Sequence, residues 1–174
     1  MKNVRIISIF IIIICFLILL YFRFTEQYSI IAQNRIIDNI FQLDYHEDYG
    51  DYLGYIYIPR FDIKRLIKSG TDTSILDDGY VGLHEMSDSL YGSHLIILAG
   101  HNISSVFSKL HYLSIGDDVF IKNNDINRKF IVYDSIVANE YDMKYFDNRD
   151  NELLLITCTD KRGYRLLVFL REVL

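Results

Sequence analysis

Cys158 is the only cysteine outside the N-terminal apolar run of this 174-residue chain, and it closes the apolar stretch Leu153-Leu154-Leu155-Ile156-Thr157-Cys158. A thiol with no second cysteine to pair with is either inert packing or a nucleophile. His101 follows another apolar run, Leu95 to Ala99, and Arg165 lies just beyond the short turn Asp160-Lys161-Arg162-Gly163. Together these types suit acyl transfer. A thiolate attacks a carbonyl, an imidazole exchanges protons with sulfur and the leaving amine, and a cation with directed N–H donors steadies the oxyanion. Arginine fits the last task because it stays protonated and its donors are fixed in a fork. Singly, each residue has a plainer reading: a strand cysteine is more often core packing, a strand-end histidine structural, and a strand arginine ion-paired.

The elements that must hold these residues read as strands. Tyr52 to Ile58 ends at Pro59, and Ile63 to Lys68 ends at Ser69-Gly70. Thr71 to Ser93 is a long irregular stretch carrying Gly79, Gly82 and Gly92. Leu95 to Ala99 reads as a fully buried strand broken by Gly100-His101-Asn102, and Ser104 or Ser105 can cap a short helix through Leu110. Val119 to Lys122, Lys129 to Val137, Leu153 to Cys158 and Tyr164 to Val173 complete the set, with a charged loop over Ala138–Glu152. Seven or eight short strands separated by turn residues predict an all-β fold, a closed barrel or a sandwich.

The N-terminus has a different character. Ile6 to Phe22 is apolar except for Ser8, close to the shortest run that spans a bilayer core. Lys2 and Arg5 precede it and only Arg23 follows closely, which favours a cytoplasmic N-terminus and an external C-terminal domain. The run continues into Tyr21-Phe22-Arg23-Phe24 with no small-x-small cleavage pattern, so an uncleaved anchor is expected over a removed signal. Cys15 sits in this run as a lipid-facing or packing residue. Apolar positions Tyr28, Ile31, Ile36, Ile37, Ile40 and Phe41 then recur near helical spacing, predicting a juxtamembrane helix and an acidic link from Asp44 to Asp51. The expected organisation is an anchor over 1–24, helix and linker over 25–51, and a catalytic barrel over 52–174. A formal charge of −5 with no Lys/Arg run argues against nucleic acid as a partner.

The order of these segments resembles the sortases, membrane-anchored cysteine transpeptidases of Gram-positive bacteria. Leu154-Leu155-Ile156-Thr157-Cys158 is similar to their Thr-Leu-x-Thr-Cys signature, and Arg165-Leu166-Leu167-Val168 to the arginine strand that follows it. Leu98-Ala99-Gly100-His101-Asn102 is similar to the histidine element, and Gly54 to Pro59 to the opening strand. The resemblance implies an eight-stranded β-barrel with short helices. It implies cleavage of an LPXTG-like sorting signal on surface proteins through a Cys158 thioester, and transfer to an amine of a cell-wall precursor or a pilin lysine. His101 would be the acid/base, and Arg165 would hold substrate and oxyanion. Ala99, Ile156 and Leu167, two residues from these on their strands, and Thr157 beside the nucleophile are expected to bind substrate. No cofactor and no metal is implied.

Departures narrow the match. Leu154 stands where the signature has threonine, and the turn between Cys158 and Arg165 is short. Arg162 competes for the arginine role, but the apolar residues after Arg165 match the strand better. The absence of an aspartate-aromatic lid motif and the modest Ala138–Glu152 loop point to a class A-like or class D-like enzyme. Glu85, Asp88, Glu140 and Asp142 are possible calcium ligands, with a solvated acidic surface the plainer reading. Two readings compete with the enzyme: a catalytically inactive, membrane-anchored barrel that binds, and a zinc site of Cys158, His101 and His94. The second lacks the close Cys/His spacing of structural zinc motifs.

Overall fold

Two patterns build the strands, alternation of buried and exposed side chains in some and unbroken buried runs in others. In β1 (Tyr52–Ile58), Gly54, Ile56 and Ile58 turn inward while their neighbours stay partly exposed, the period-two pattern of a sheet with one covered face. The computed structural model describes residues 2–41, 51–147 and 149–173. Within them lie β2 (Ile63–Ser69), β3 (Val81–Leu83), β4 (Ile96–Ala99), β5 (Asp118–Lys122), β6 (Asn127–Asn139), β7 (Glu152–Cys158) and β8 (Tyr164–Val173). They close into a barrel in the order β1-β2-β3-β4-β7-β8-β6-β5, with β5 returning to β1. Closure gives each described strand a partner on both sides along at least part of its length. The all-β barrel expected from the sequence is the fold found.

The interior is filled by Ile56, Ile67, Leu98, Phe107, Phe130, Leu155 and Val168, all buried to the last few percent. β7 is buried on both faces, which explains its unbroken apolar sequence. Leu153 and Leu155 point into the barrel. Leu154 and Ile156 join Ile97, Leu167 and Phe169 in an outer cluster covered by Tyr133, Tyr145 and Phe146.

Three segments depart from the sequence reading. Thr71 to Ser93 holds a short helix, α2 (Thr73–Asp77), and the three-residue strand β3. The Ala138–Glu152 loop begins within β6 and contains a 3-10 turn at Met143–Phe146. The helix expected from Ser104 is instead a run of turns ending in a 3-10 helix at Ser108–Tyr112. Ser104 caps nothing there, because its hydroxyl donates to Glu26.

Glu26 belongs to α1 (Lys2–Phe41), a single helix of 40 residues, roughly 60 Å at 1.5 Å per residue. It is long and apolar enough to cross a membrane, and its most apolar window is not buried among the described residues. No break separates the anchor from the juxtamembrane helix. The acidic link lies largely outside the described residues, which resume at Asp51. The later turns of α1 dock on the barrel, with Ile37 fully buried and Gln33 2 % exposed. Gln33 Oε1 accepts from the Leu66 N–H at 3.2 Å, one residue before β2 begins pairing with β3 at Ile67. The glutamine thus completes the β2 edge where β3 is too short to reach. Its Nε2 donates to the Gly79 carbonyl at 3.1 Å, and Ser29 Oγ donates to the Asp78 carbonyl at 3.0 Å. Arg65, 4 % exposed on β2, is pulled down to about 10 by burial, with Glu26 of α1 opposing that fall.

Gln33→Leu keeps the volume but orphans the buried Leu66 N–H and the Gly79 carbonyl, so stability should fall by about 2–4 kcal/mol. Denaturant unfolding will measure the loss. Hydrogen exchange at Leu66 locates it, and unchanged protection there would show that the glutamine does not complete the strand edge.

Candidate active site

Two adjacent parallel strands bring the distant residues to one place. β4 and β7 pair in parallel from Ile96↔Leu153 to Ala99↔Ile156, and the Gly100 N–H extends the ladder by donating to the Ile156 carbonyl at 3.0 Å. His101 and Cys158 each stand two residues beyond the last matched pair, at the same end of adjacent strands. On its other side β7 pairs antiparallel with β8, and Cys158 lies directly opposite Arg165. Cross-strand partners project from the same face. His101, Cys158 and Arg165 therefore line one open cleft of about 590 Å³, and the Cys158 side chain is exposed to it.

Local structure fixes each of the three. Gly100 must lack a side chain: a Cβ there would lie 2.6 Å from the ring of Phe107 and 2.8 Å from Val106, both fully buried. The His101 carbonyl accepts from the Phe107 N–H at 3.1 Å, so the residue is held from before and after. Its Nε2 meets Asp77 Oδ1 at 2.8 Å. A carboxylate only accepts, so Nε2 carries the hydrogen and Nδ1 is left without it in the neutral ring. Arg165 donates through Nη1 to the Tyr164 carbonyl at 3.2 Å and pairs through Nη2 with Glu140 at 2.6 Å. Glu140 is placed by its own N–H, which donates to the Gly163 carbonyl at 3.0 Å.

Ala99, Ile156 and Thr157 line the cleft as well. Leu167, although opposite Ile156, is 3 % exposed within the outer cluster and supports the wall from beneath. Arg162 is exposed on the turn, away from the residues that line the cleft. A second recess of about 410 Å³ also reaches Cys158 and is lined by Lys109, His111, Tyr112, Thr159 and Asp160. His94 pairs with Asp150 at 2.9 Å and lines neither space. Of the acids weighed as calcium ligands, Glu140 faces Arg165 and Asp142 faces Lys144, each already beside a cation of the chain.

Asp77, His84 and Glu140 are cleft or second-layer groups that sequence reasoning did not assign to the site. His84 lines the cleft with its ring 5.6 Å from that of Phe146, and its Nδ1 accepts from the Met86 N–H at 3.1 Å. Burial lowers its affinity for a second proton, and neighbouring Glu85 opposes this more weakly. The one signal was its place after β3, whose Gly82 pairs with Ala99 of the histidine strand.

A family model described as Sortase domain matches residues 56–173. No match was found among curated proteins. Among solved structures, a sortase C-1 from Actinomyces oris is similar at 28 % identity and TM-score 0.66, covering 74 % of this chain and 76 % of that one. A Clostridium perfringens sortase C, described as solved with the C-terminal cell wall sorting motif, is similar at 26 % identity and TM-score 0.64, over 86 % and 88 % of the two chains. Listeria monocytogenes sortase A shares the fold at 22 % identity and TM-score 0.66, over 72 % and 89 %. The sortase A and sortase C structures overlap this chain with nearly equal scores.

Two expectations follow from the geometry. The folded chain disfavours protonated His84, so stability should fall as pH drops below about 6.5, where the unfolded chain takes up the proton first. His84→Gln should flatten that part of a melting-temperature profile; an unaltered slope would show that another group titrates. Glu140→Gln removes the anion that occupies Arg165. The pair is partly exposed, so the KM of a peptide substrate that needs the arginine should fall by up to about 5-fold. A raised KM in steady-state kinetics would show that Glu140 orients the arginine instead of competing for it.

Proposed function

The chain belongs to the sortase family, and on that premise we propose that it is a membrane-anchored cysteine transpeptidase acting on an LPXTG-like sorting signal of surface proteins. The observation that carries this reading is the meeting of Cys158, His101 and Arg165 in one open cleft at the same end of adjacent strands. The cleft wall is mostly apolar near Ala99 and Ile156, as an extended leucine- and proline-containing peptide requires. Cys158 passes its thiol proton to the free nitrogen of His101, and the resulting thiolate attacks the carbonyl of the signal's threonine residue. The new C–S bond forms as negative charge moves to the carbonyl oxygen, where Arg165 donates to it once Glu140 is displaced or shared. Collapse of this intermediate breaks the peptide C–N bond, and His101 gives a proton to the departing amine.

The second half reverses the roles. An amine attacks the thioester, His101 takes its proton, and the C–S bond breaks to restore the thiolate. The second recess at Cys158 offers the amine an approach separate from the one the cleaved piece uses to leave. The acceptor is a cell-wall precursor or a pilin lysine. α1 holds the domain at the outer face of the membrane, with the chain's N-terminus inside.

Mass spectrometry of the full chain with a library of sorting-signal peptides and a strong amine such as hydroxylamine tests the proposal. Cleavage between the threonine and glycine of one peptide, a mass shift on Cys158 and a hydroxamate product are expected. Cys158→Ala should abolish all three; cleavage that survives in a folded Cys158→Ala variant overturns the nucleophile.

A further inference from the structure

An acid/base histidine needs its ring held so that one nitrogen faces the reacting atoms and carries the right proton. The cleft described above holds Cys158 and Arg165 from its own walls, but the partner of His101 comes from elsewhere. Asp77 lies 24 residues earlier, at the C-terminal end of α2, with its carboxylate 2.8 Å from His101 Nε2. This is a poor place for an acid on local grounds. The last carbonyls of a helix carry partial negative charge, and Asp78 adds a second acid beside it. No helix preference explains Asp77, whereas the imidazole across the gap does.

The surroundings are built to keep the pair in place from both sides. Behind Asp77, Ser29 and Gln33 of α1 hold the Asp78 and Gly79 carbonyls. Gly79 takes a φ of +79°, and a Cβ there would stand 3.3 Å from Ser29 Oγ, so the turn fits closely against the helix. Behind His101, Glu26 of the same helix accepts from the Ser104 hydroxyl and from the Ser105 N–H at 3.0 Å. Three side chains spaced along α1 thus clamp the two segments that carry the carboxylate and the imidazole.

We propose that Asp77 is a positioning residue for His101, fixing the hydrogen on Nε2 and directing Nδ1 toward the Cys158 sulfur. The inference rests on His101 being the acid/base of the transpeptidase reading. Its contribution is orientation and not fold stability, since Asp77 is 61 % exposed and an exposed ion pair stabilises a protein little. Asp77→Ala should therefore leave the melting temperature and the KM of the sorting-signal peptide unchanged while kcat falls by about 10–100-fold. Asp77→Asn keeps an oxygen that accepts from Nε2–H and should recover part of the rate.

The deciding experiment pairs those kinetics with nitrogen NMR of histidine-labelled full-length chain in detergent, with the His101 signals assigned by their loss in His101→Gln. The expected result is a Nε2–H ring in the native chain and a tautomer mixture in Asp77→Ala, alongside the kcat loss. Native kcat in Asp77→Ala, or a ring signature that the substitution leaves unmoved, overturns the positioning role. Full activity in His101→Gln would overturn the acid/base assignment itself, a result separable from the other two.

Discussion

The cleft end of this molecule depends on one constraint: β4 and β7 lie side by side, run parallel, and carry His101 and Cys158 at the same distance past their last matched pair. Parallel neighbours cannot be joined by a tight hairpin, so the chain between them must travel. Here it leaves β4 through the Val106–Phe107 turn, forms β5 and β6 across the barrel, and returns over the outer face of β7. That path closes the barrel against β1, fills its interior with Phe107 and Phe130, and lays Tyr145 and Phe146 over the outer apolar cluster. It also leaves a histidine and a cysteine 57 positions apart on adjacent strand ends (158 − 101 = 57). Gly100 is where the constraint is tightest, because the Phe107 ring occupies the space a side chain would need.

The cleft's charged groups are compensated from within the chain. Arg165 meets Glu140 and His101 meets Asp77, and burial keeps His84 toward its neutral form. A site balanced in this way presents little net field to whatever enters the cleft. Both contacts are partly exposed, so rearranging them when a ligand arrives costs little compared with breaking a buried pair.

The sequence made legible what depends on neighbours along the chain. Turn residues bounded β1 and β5, and unbroken apolar runs marked β7 and β8 as strands covered on both faces. The three chemical residues stood out by type and by their place after apolar runs. What stayed hidden depends on distant partners. Asp77 and Glu140 look like surface acids until α2 and the end of β6 are folded against the cleft. β3 has three residues, too few for a periodic pattern, and it forms because β2 and β4 flank it. Ser104 has the residue type of a helix cap, yet Glu26 claims its hydroxyl. The unity of α1 was readable in hindsight, since no glycine or proline occurs from Lys2 to Phe41. The change from an apolar to a mixed composition suggested a boundary, but composition there records a change of surroundings and not of backbone.

That unbroken helix has a geometric outcome. A barrel hung from a flexible leash samples a hemisphere of positions above its attachment point. This barrel is bolted to a rod through Glu26, Ser29, Gln33 and Ile37, so the distance from the apolar turns to the Cys158 thiol is a fixed dimension of the molecule. With the apolar turns placed in a bilayer, as proposed above, the Cys158 cleft would sit in a thin layer at one height over the membrane, and that height would decide which bonds can reach it.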